Sequence, residues 1–328
     1  MLKILILILI TFFSIGCTSY RQEEVSFRNG NTALHGTLYI PTGKARHPAM
    51  IFVHGSGRST RETFRYYADL FARKGLAVLI YDKRDIGSIT ATELVSSEDL
   101  AGDVLAAVQL LKGRDDIDAR RIGLWGGSQG SGIAAMATAQ SNDIAFLISV
   151  SGGGVSYAEL NPFQKANRLR AQGYSEAEIR DAVAAIERLQ EYVRTRNNPE
   201  AAQAVLDRAW ENRWASVIFP SRRIPTAEEL KTWMQWRDID GTSIPDWERV
   251  KVPVLAFWGE QDTVVPVQVS VERIREALRR AGNQDVTIII VPRADHNLMR
   301  PPNPENLPAA EYLETMVEWT LKRARISG

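Results

Sequence analysis

Polar and apolar positions along the chain alternate between two periods. Short runs of β-branched and other apolar residues fall at Ala33–Ile40, Ala49–Val53, Leu76–Tyr81, Arg121–Trp125, Ile144–Val150, Val254–Trp258 and Val286–Val291, and each reads as a strand. Most of these runs are apolar throughout, as in strands covered on both faces, whereas Ala33–Ile40 alternates and is expected at an antiparallel edge. Between the runs, apolar residues recur every three to four positions. Phe64, Tyr67, Ala68 and Phe71 share one helical face, as do Leu100, Val104, Ala107 and Leu111, and then Val271, Ile274, Leu278 and Ala281. Gly75 and Gly282 stand where helices would end, and a last helix is expected at about Ala309–Lys322. This alternation predicts an α/β protein with a mostly parallel sheet flanked by helices on both faces.

From Val155 to Arg249 the strand signal disappears. The pattern becomes helical, with capping boxes at Ser175/Glu178 and Thr226/Glu229 and an apolar stripe of Ile179, Val183, Ile186 and Val193. Because the stretch starts after one strand and ends before another, 155–249 reads as a helical cap inserted into a core made of 20–154 and 250–328. Trp210, Trp214, Trp233, Trp236 and Trp247 lie in this insertion; they either anchor the cap to the sheet domain or wall an apolar pocket. Acidic and basic residues nearly balance there, so nothing in the cap's charge selects an anionic substrate.

A length of 328 residues suits one large domain with an insertion better than several domains. With 40 basic and 39 acidic side chains the net charge is +1, which supplies no long-range attraction to nucleic acid or acidic lipid, and no nucleic-acid partner is expected. No His/Cys/Asp cluster has metal-ligand spacing, and Gly152-Gly153-Gly154 does not form a dinucleotide-binding fingerprint, so neither metal nor cofactor is implied.

The single cysteine, Cys17, excludes an internal disulfide. It follows Lys3, an almost unbroken apolar run from Ile4 to Ile15, and Gly16, which is the layout of an export leader and too short to span a bilayer. Residues 1–17 therefore read as a signal peptide. Ser14-Ile15-Gly16-Cys17 resembles a bacterial lipobox, with Ser14 where leucine is usual. The resemblance implies lipid attachment at Cys17 and a membrane-anchored lipoprotein facing the periplasm or the cell exterior.

Gly126-Gly127-Ser128-Gln129-Gly130 follows the run Arg121–Trp125 and opens a helical stretch, Gln129–Ala139. A G-x-S-x-G between strand and helix marks a turn so tight that small residues must flank a serine held above the sheet, and Ser128 is the expected nucleophile. A serine hydroxyl needs a base to remove its proton and a carboxylate to orient that base. Of the four histidines, His35 lies in a strand, His47 stands beside Pro48, and His54 belongs to a glycine-rich loop, which leaves His296 after the last strand as the base. Asp262, in the loop after Val254–Trp258, is the expected acid, with Glu260 and Asp295 as competitors. The oxyanion is expected to meet the backbone N–H groups of Gln129 and of Ser56, the latter in His54-Gly55-Ser56-Gly57, with Gly57 next in line. His54 then holds that loop.

Together with Phe52-Val53-His54-Gly55-Ser56-Gly57, Tyr81-Asp82-Lys83-Arg84 and Ala294-Asp295-His296, this elbow makes the chain similar, over about residues 25–325, to α/β-hydrolases, and among them to bacterial esterases related to dienelactone hydrolases and acyl-peptidases. Asp85 and Ser131 stand where relatives usually have glycine. The resemblance implies an α/β-hydrolase fold and a serine hydrolase that cleaves a small-molecule carboxylic ester through an acyl-serine. Two alternatives use the same fold. One is a serine aminopeptidase or thioesterase, the former needing an amine-binding carboxylate such as Glu159, Glu211 or Asp240; the other is a non-catalytic ligand-binding lipoprotein. Nothing in the sequence fixes the oligomeric state. For the N-terminus, Cys17→Ser is expected to abolish incorporation of labelled palmitate and to release the protein from the membrane fraction; undiminished labelling would contradict the lipobox reading.

Overall fold

The computed structural model describes residues 19–43, 46–84, 95–232, 238–303 and 306–325. Cys17 and the leader, Asp85, Trp233 and Trp236 lie outside the described residues. The strands are β1 (Tyr20–Asn29), β2 (Thr32–Pro41), β3 (His47–Val53), β4 (Ala77–Tyr81), β5 (Ile117–Gly127), β6 (Phe146–Val150), β7 (Val254–Gly259) and β8 (Val286–Val291). They form one eight-stranded sheet in the order β1-β2-β4-β3-β5-β6-β7-β8. From β4 to β8 every pairing is parallel, whereas β1 with β2 and β2 with β4 are antiparallel.

The expected mostly parallel sheet is present, but its antiparallel edge is β1 and not the run Ala33–Ile40. β1 escapes a hydrophobic reading because only Val25 and Phe27 of its ten residues are buried. Its backbone nevertheless pairs with β2 along its whole length, from Tyr20 opposite Pro41 to Asn29 opposite Thr32. β2 is thereby shielded on both sides, with His35 exposed on its surface and Ser26 Oγ 2.9 Å from His35 Nδ1.

The apolar strands feed two cores, because successive side chains of a strand point to opposite faces. Ala49, Ile51 and Val53 of β3 join one core with Leu100, Val104, Ala107 and Leu111 of α2 (Ser97–Lys112), with Ile133 and Ala134 of α3 (Gln129–Gln140), and with Val271, Ile274 and Leu278 from the next-to-last helix. Met50 and Phe52 enter the other core with Ala68 and Phe71 of α1 (Arg65–Ala72) and with Tyr312, Met316 and Val317 of the last helix. One α/β layer is thus covered above and below. Gly75 and Gly282 both adopt positive φ just past helix ends, as their type predicts.

Between β6 and β7 run α4 (Tyr157–Ala171), α5 (Glu176–Thr195), α6 (Pro199–Ala209), α7 (Ala215–Ile218), α8 (Ala227–Thr232) and α9 (Ile244–Trp247). After β7 come α10 (Val267–Arg280) and α11 (Ala310–Arg323). Capping boxes start α4 at Ser156 and α5 at Ser175, each closed by a glutamate three residues on. The inserted helices carry an apolar cluster of their own, including Leu169, Ile179, Ile186, Trp214 and Ile218. The described tryptophans of this stretch divide by role: Trp214 packs inside that cluster and Trp210 against it, while Trp247 is fully buried in the core of the sheet domain.

Candidate active site

In a parallel sheet all strand ends of one polarity lie on one rim, and loops leaving the carboxyl ends of neighbouring strands converge there. β3, β5, β6, β7 and β8 are neighbours in that order, so the loops after residues 53, 127, 150, 259 and 291 share this rim. His47 opens β3 at its other end, roughly 20 Å away along a seven-residue strand. The His35 carbonyl accepts from Asp82 N–H just past β4, but its exposed ring lies against Ser26 of β1 and does not border the cavity described below.

Ser128 caps α3 with φ 53° and ψ −121°, a conformation that costs a non-glycine residue about 1–3 kcal/mol. Surrounding contacts impose it. Ser128 N–H donates to the Val150 carbonyl at 2.8 Å, and Ser131 N–H returns to the Ser128 carbonyl at 3.0 Å. The flanking glycines are required by crowding: a Cβ on Gly126 would stand 2.2 Å from the Gly130 carbonyl oxygen, and one on Gly130 would stand 2.4 Å from that of Val53. At Ser131 the extra hydroxyl is accommodated, since its Oγ lies 2.6 Å from Ser149 Oγ in a fully buried pair.

Asp262 and His296 meet. His296 Nδ1 donates to Asp262 Oδ2 at 2.7 Å, and Asp262 Oδ1 accepts from the N–H groups of Val264 at 2.7 Å and Val265 at 2.9 Å. The Asp262 side chain is wholly inaccessible, so water does not compete for its bond to the imidazole. With Nδ1 committed, the ring's Nε2 is the nitrogen left to act as a base. Both competing acids are occupied elsewhere: Glu260 accepts from Arg293 N–H, and Asp295 accepts from the N–H groups of Asn297 and Met299 in its own turn.

The loops carrying Asp262 and His296 are tied together below the pair. Gln261 N–H donates to the Ala294 carbonyl at 2.8 Å, and a Cβ on Gly259 would collide with the Asp295 carbonyl oxygen at 2.0 Å. Ser151, immediately after β6 and at φ 50°, donates from Oγ to the His296 carbonyl at 2.7 Å. Sequence reasoning passes over Ser151, because a serine that supports a loop has no motif of its own.

Ser128 and His296 line one cavity of about 1110 Å³, together with Gly55, Ser56 and Gln129. They make no mutual hydrogen bond among the described contacts; such bonds commonly tighten only in the substrate complex. Gln129 is the first residue of α3, so its N–H has no acceptor within the helix and lies at the positive end of the helix dipole. His54 is 3% exposed and its Nε2 donates to the Tyr81 carbonyl, which bridges the loops after β3 and β4. Burial pushes its pKa down to about 4.

Aromatic lining comes from the sheet domain: Phe64, Tyr67, Trp125 and Tyr312 border the cavity, and Trp125 Nε1 donates to Tyr312 Oη at 3.2 Å. Burial raises the Tyr67 pKa to about 12, so its phenol stays protonated. The inserted helices contribute Tyr157, Leu160 and Gln164 of α4 and the segment around Ser243, but none of the described cap tryptophans borders the cavity. Glu159 and Asp240 open onto a separate hollow of about 560 Å³ and are paired with Arg273 and Arg194. The hydrogen bonds from Arg273 lower the Glu159 pKa to about 2.

Comparison with known proteins follows the same outline. The model of the family described as "Alpha/beta hydrolase family" matches residues 50–309. The quorum-quenching protein AidA of Acinetobacter baumannii is 28% identical over 144 residues, which are 42% of this chain and 47% of that protein. Esterase EstD of Thermotoga maritima is 32% identical over 107 residues, 30% of this chain and 25% of that protein. The match spans about half or less of the length of these relatives. Among solved structures, an esterase of Pyrococcus furiosus superposes with a TM-score of 0.56 at 17% identity, covering 95% of this chain and 92% of that one, a likeness of fold.

Protonation gives one test of the loop geometry. His54 binds its proton less readily when folded than the ordinary histidine, so its contribution to stability is complete above pH 6.5 and is lost as pH falls from 6.5 toward 4. The loss is on the order of 3 kcal/mol. Urea unfolding from pH 7 to 4 should show this decline in the wild type and a flatter profile in His54→Gln, which keeps a donor but cannot titrate. Equal slopes would mean that His54 is not held neutral.

Proposed function

Since the chain belongs to the alpha/beta hydrolase family, we propose that it is a serine hydrolase of carboxylic esters, with Ser128 as nucleophile, His296 as base and Asp262 as the carboxylate behind it. The observation that carries this reading is the 2.7 Å bond from His296 Nδ1 to the buried Asp262, beside a cavity that also holds the strained Ser128.

His296 Nε2 takes the Ser128 proton as Oγ adds to the ester carbonyl, and the resulting oxyanion is met by the N–H groups of Ser56 and Gln129. The tetrahedral species collapses as the C–O bond to the alcohol breaks and His296 returns the proton to the leaving oxygen. Water then loses a proton to His296 and adds to the acyl-serine, and breakdown restores the Ser128 hydroxyl and releases the acid. Asp262 stabilises the imidazolium present in each step without taking the proton.

An ester is favoured over a peptide by the walls of the cavity. Phe64, Tyr67, Trp125, Leu160 and Tyr312 give it an apolar wall suited to an acyl or alcohol group, Glu159 and Asp240, which would suit the amine of a peptide N-terminus, are engaged by arginines outside it, and Asp246, which does border it, is paired with Arg249. The esterase from Thermotoga maritima among the relatives supports the same choice. Purified protein should hydrolyse p-nitrophenyl butyrate, and Ser128→Ala should lower turnover by at least about 10³-fold while leaving the unfolding midpoint within error. Turnover that survives the substitution would end this reading; faster release from a matched thioester or anilide would reassign the substrate class but keep the serine chemistry.

A further inference from the structure

Lys83, in the loop after β4, makes contacts that the triad does not explain. Its Nζ donates to the Gly55 carbonyl at 2.7 Å and to Gln129 Oε1 at 3.1 Å. Its charged neighbours are committed elsewhere: Asp82 to Arg61, through a hydrogen bond from Arg61 N–H at 3.0 Å and an ion pair at 3.3 Å, and Arg84 to the buried Asp103. Among the described residues no carboxylate lies within ion-pair distance of Lys83, and its two acceptors are neutral amide oxygens.

We propose that Lys83 is a positioning residue for the oxyanion site, fixing the direction of the Ser56 N–H group and placing a positive charge behind the Ser56 and Gln129 donors. The inference rests on the serine-hydrolase reading of this cavity.

Peptide planarity supplies the first step. In a trans peptide the C=O and the following N–H point in opposite directions, so a grip on the Gly55 carbonyl sets where the Ser56 N–H is aimed. Ser56 and Gln129 border the cavity and Lys83 does not, so the lysine stands behind the donors and does not touch substrate. Gly55 is close enough for this aim to matter, since a Cβ built on it would be 3.5 Å from Ser128 Cβ. Through Gln129 the same ammonium reaches the residue that carries the other donor.

Charge is the second step. A carbonyl that accepts from an ammonium polarises its own peptide and strengthens the N–H on the far side. A neutral amide could clasp Gly55 equally well, whereas an ammonium confined among neutral acceptors is costly to bury, and burial alone lowers its pKa to about 8. A preorganised positive charge behind the donors repays that cost when the substrate oxygen becomes negative.

The test compares the wild type, Ser128→Ala and Lys83→Met on p-nitrophenyl butyrate, with phenylboronic acid as an inhibitor whose tetrahedral adduct presents an oxyanion. For Lys83→Met, kcat should fall about 10- to 100-fold, KM should change less than about threefold, and boronate affinity should fall in parallel with kcat. Lys83→Gln, which can keep the bond to Gly55 without the charge, should give intermediate values and serves in its place if Lys83→Met does not fold. A folded lysine variant with wild-type kcat and boronate affinity, or with a raised KM alone, would overturn the inference while an inactive Ser128→Ala left the hydrolase reading standing. Undiminished turnover by Ser128→Ala would overturn both.

Discussion

The turn between β5 and α3 governs the rest of the site. It must reverse the chain from strand to helix within a single residue, and it leaves Ser128 at φ 53° between Gly126 and Gly130, each pressed against a carbonyl oxygen. Such a turn cannot hold itself. It depends on the Val150 carbonyl from the neighbouring strand, on Val53 approaching so closely that position 130 must be glycine, and on the helix that starts immediately afterward. The strain is sustained by the packing of three parallel strands, and it keeps the serine hydroxyl out of the helix and at the rim.

Parallel strand order turns that local constraint into a site. Because β5, β6, β7 and β8 are neighbours, the serine after β5, the Ser151 prop after β6, the aspartate after β7 and the histidine after β8 stand side by side. On the far side of β5, the loops after β3 and β4 are joined by His54 and Lys83. A rigid sheet thus carries six loops, each contributing one or two groups. The inserted helices complete the wall opposite the sheet domain, held by Trp247 in the main core and by their own apolar cluster.

Much of this was legible in the sequence because the informative signals are local. A buried parallel strand reads as an unbroken apolar run, and the residue just after such a run can be placed at the rim without knowing the strand order. That logic isolates residues 128, 262 and 296 and sets aside His35 and His47, and it finds the mostly parallel sheet. It fails for β1, whose polar decapeptide is held by backbone pairing to β2 and buries only two side chains. It also misses the cavity's aromatic wall, since Phe64, Tyr67, Trp125 and Tyr312 come from separate elements, and their convergence depends on how helices lie on the sheet. Ser151 and Lys83 are hidden for a related reason: each donates to a backbone carbonyl far away in the sequence.

In the proposed enzyme one serine is activated by the histidine that the buried aspartate holds. Peptide mapping after treatment with a fluorophosphonate tests it most directly, because the probe bonds only to a nucleophile whose proton is being removed. An adduct is expected on Ser128 alone, formed much more slowly in His296→Asn. An adduct on another residue, or labelling at the wild-type rate without His296, would contradict it.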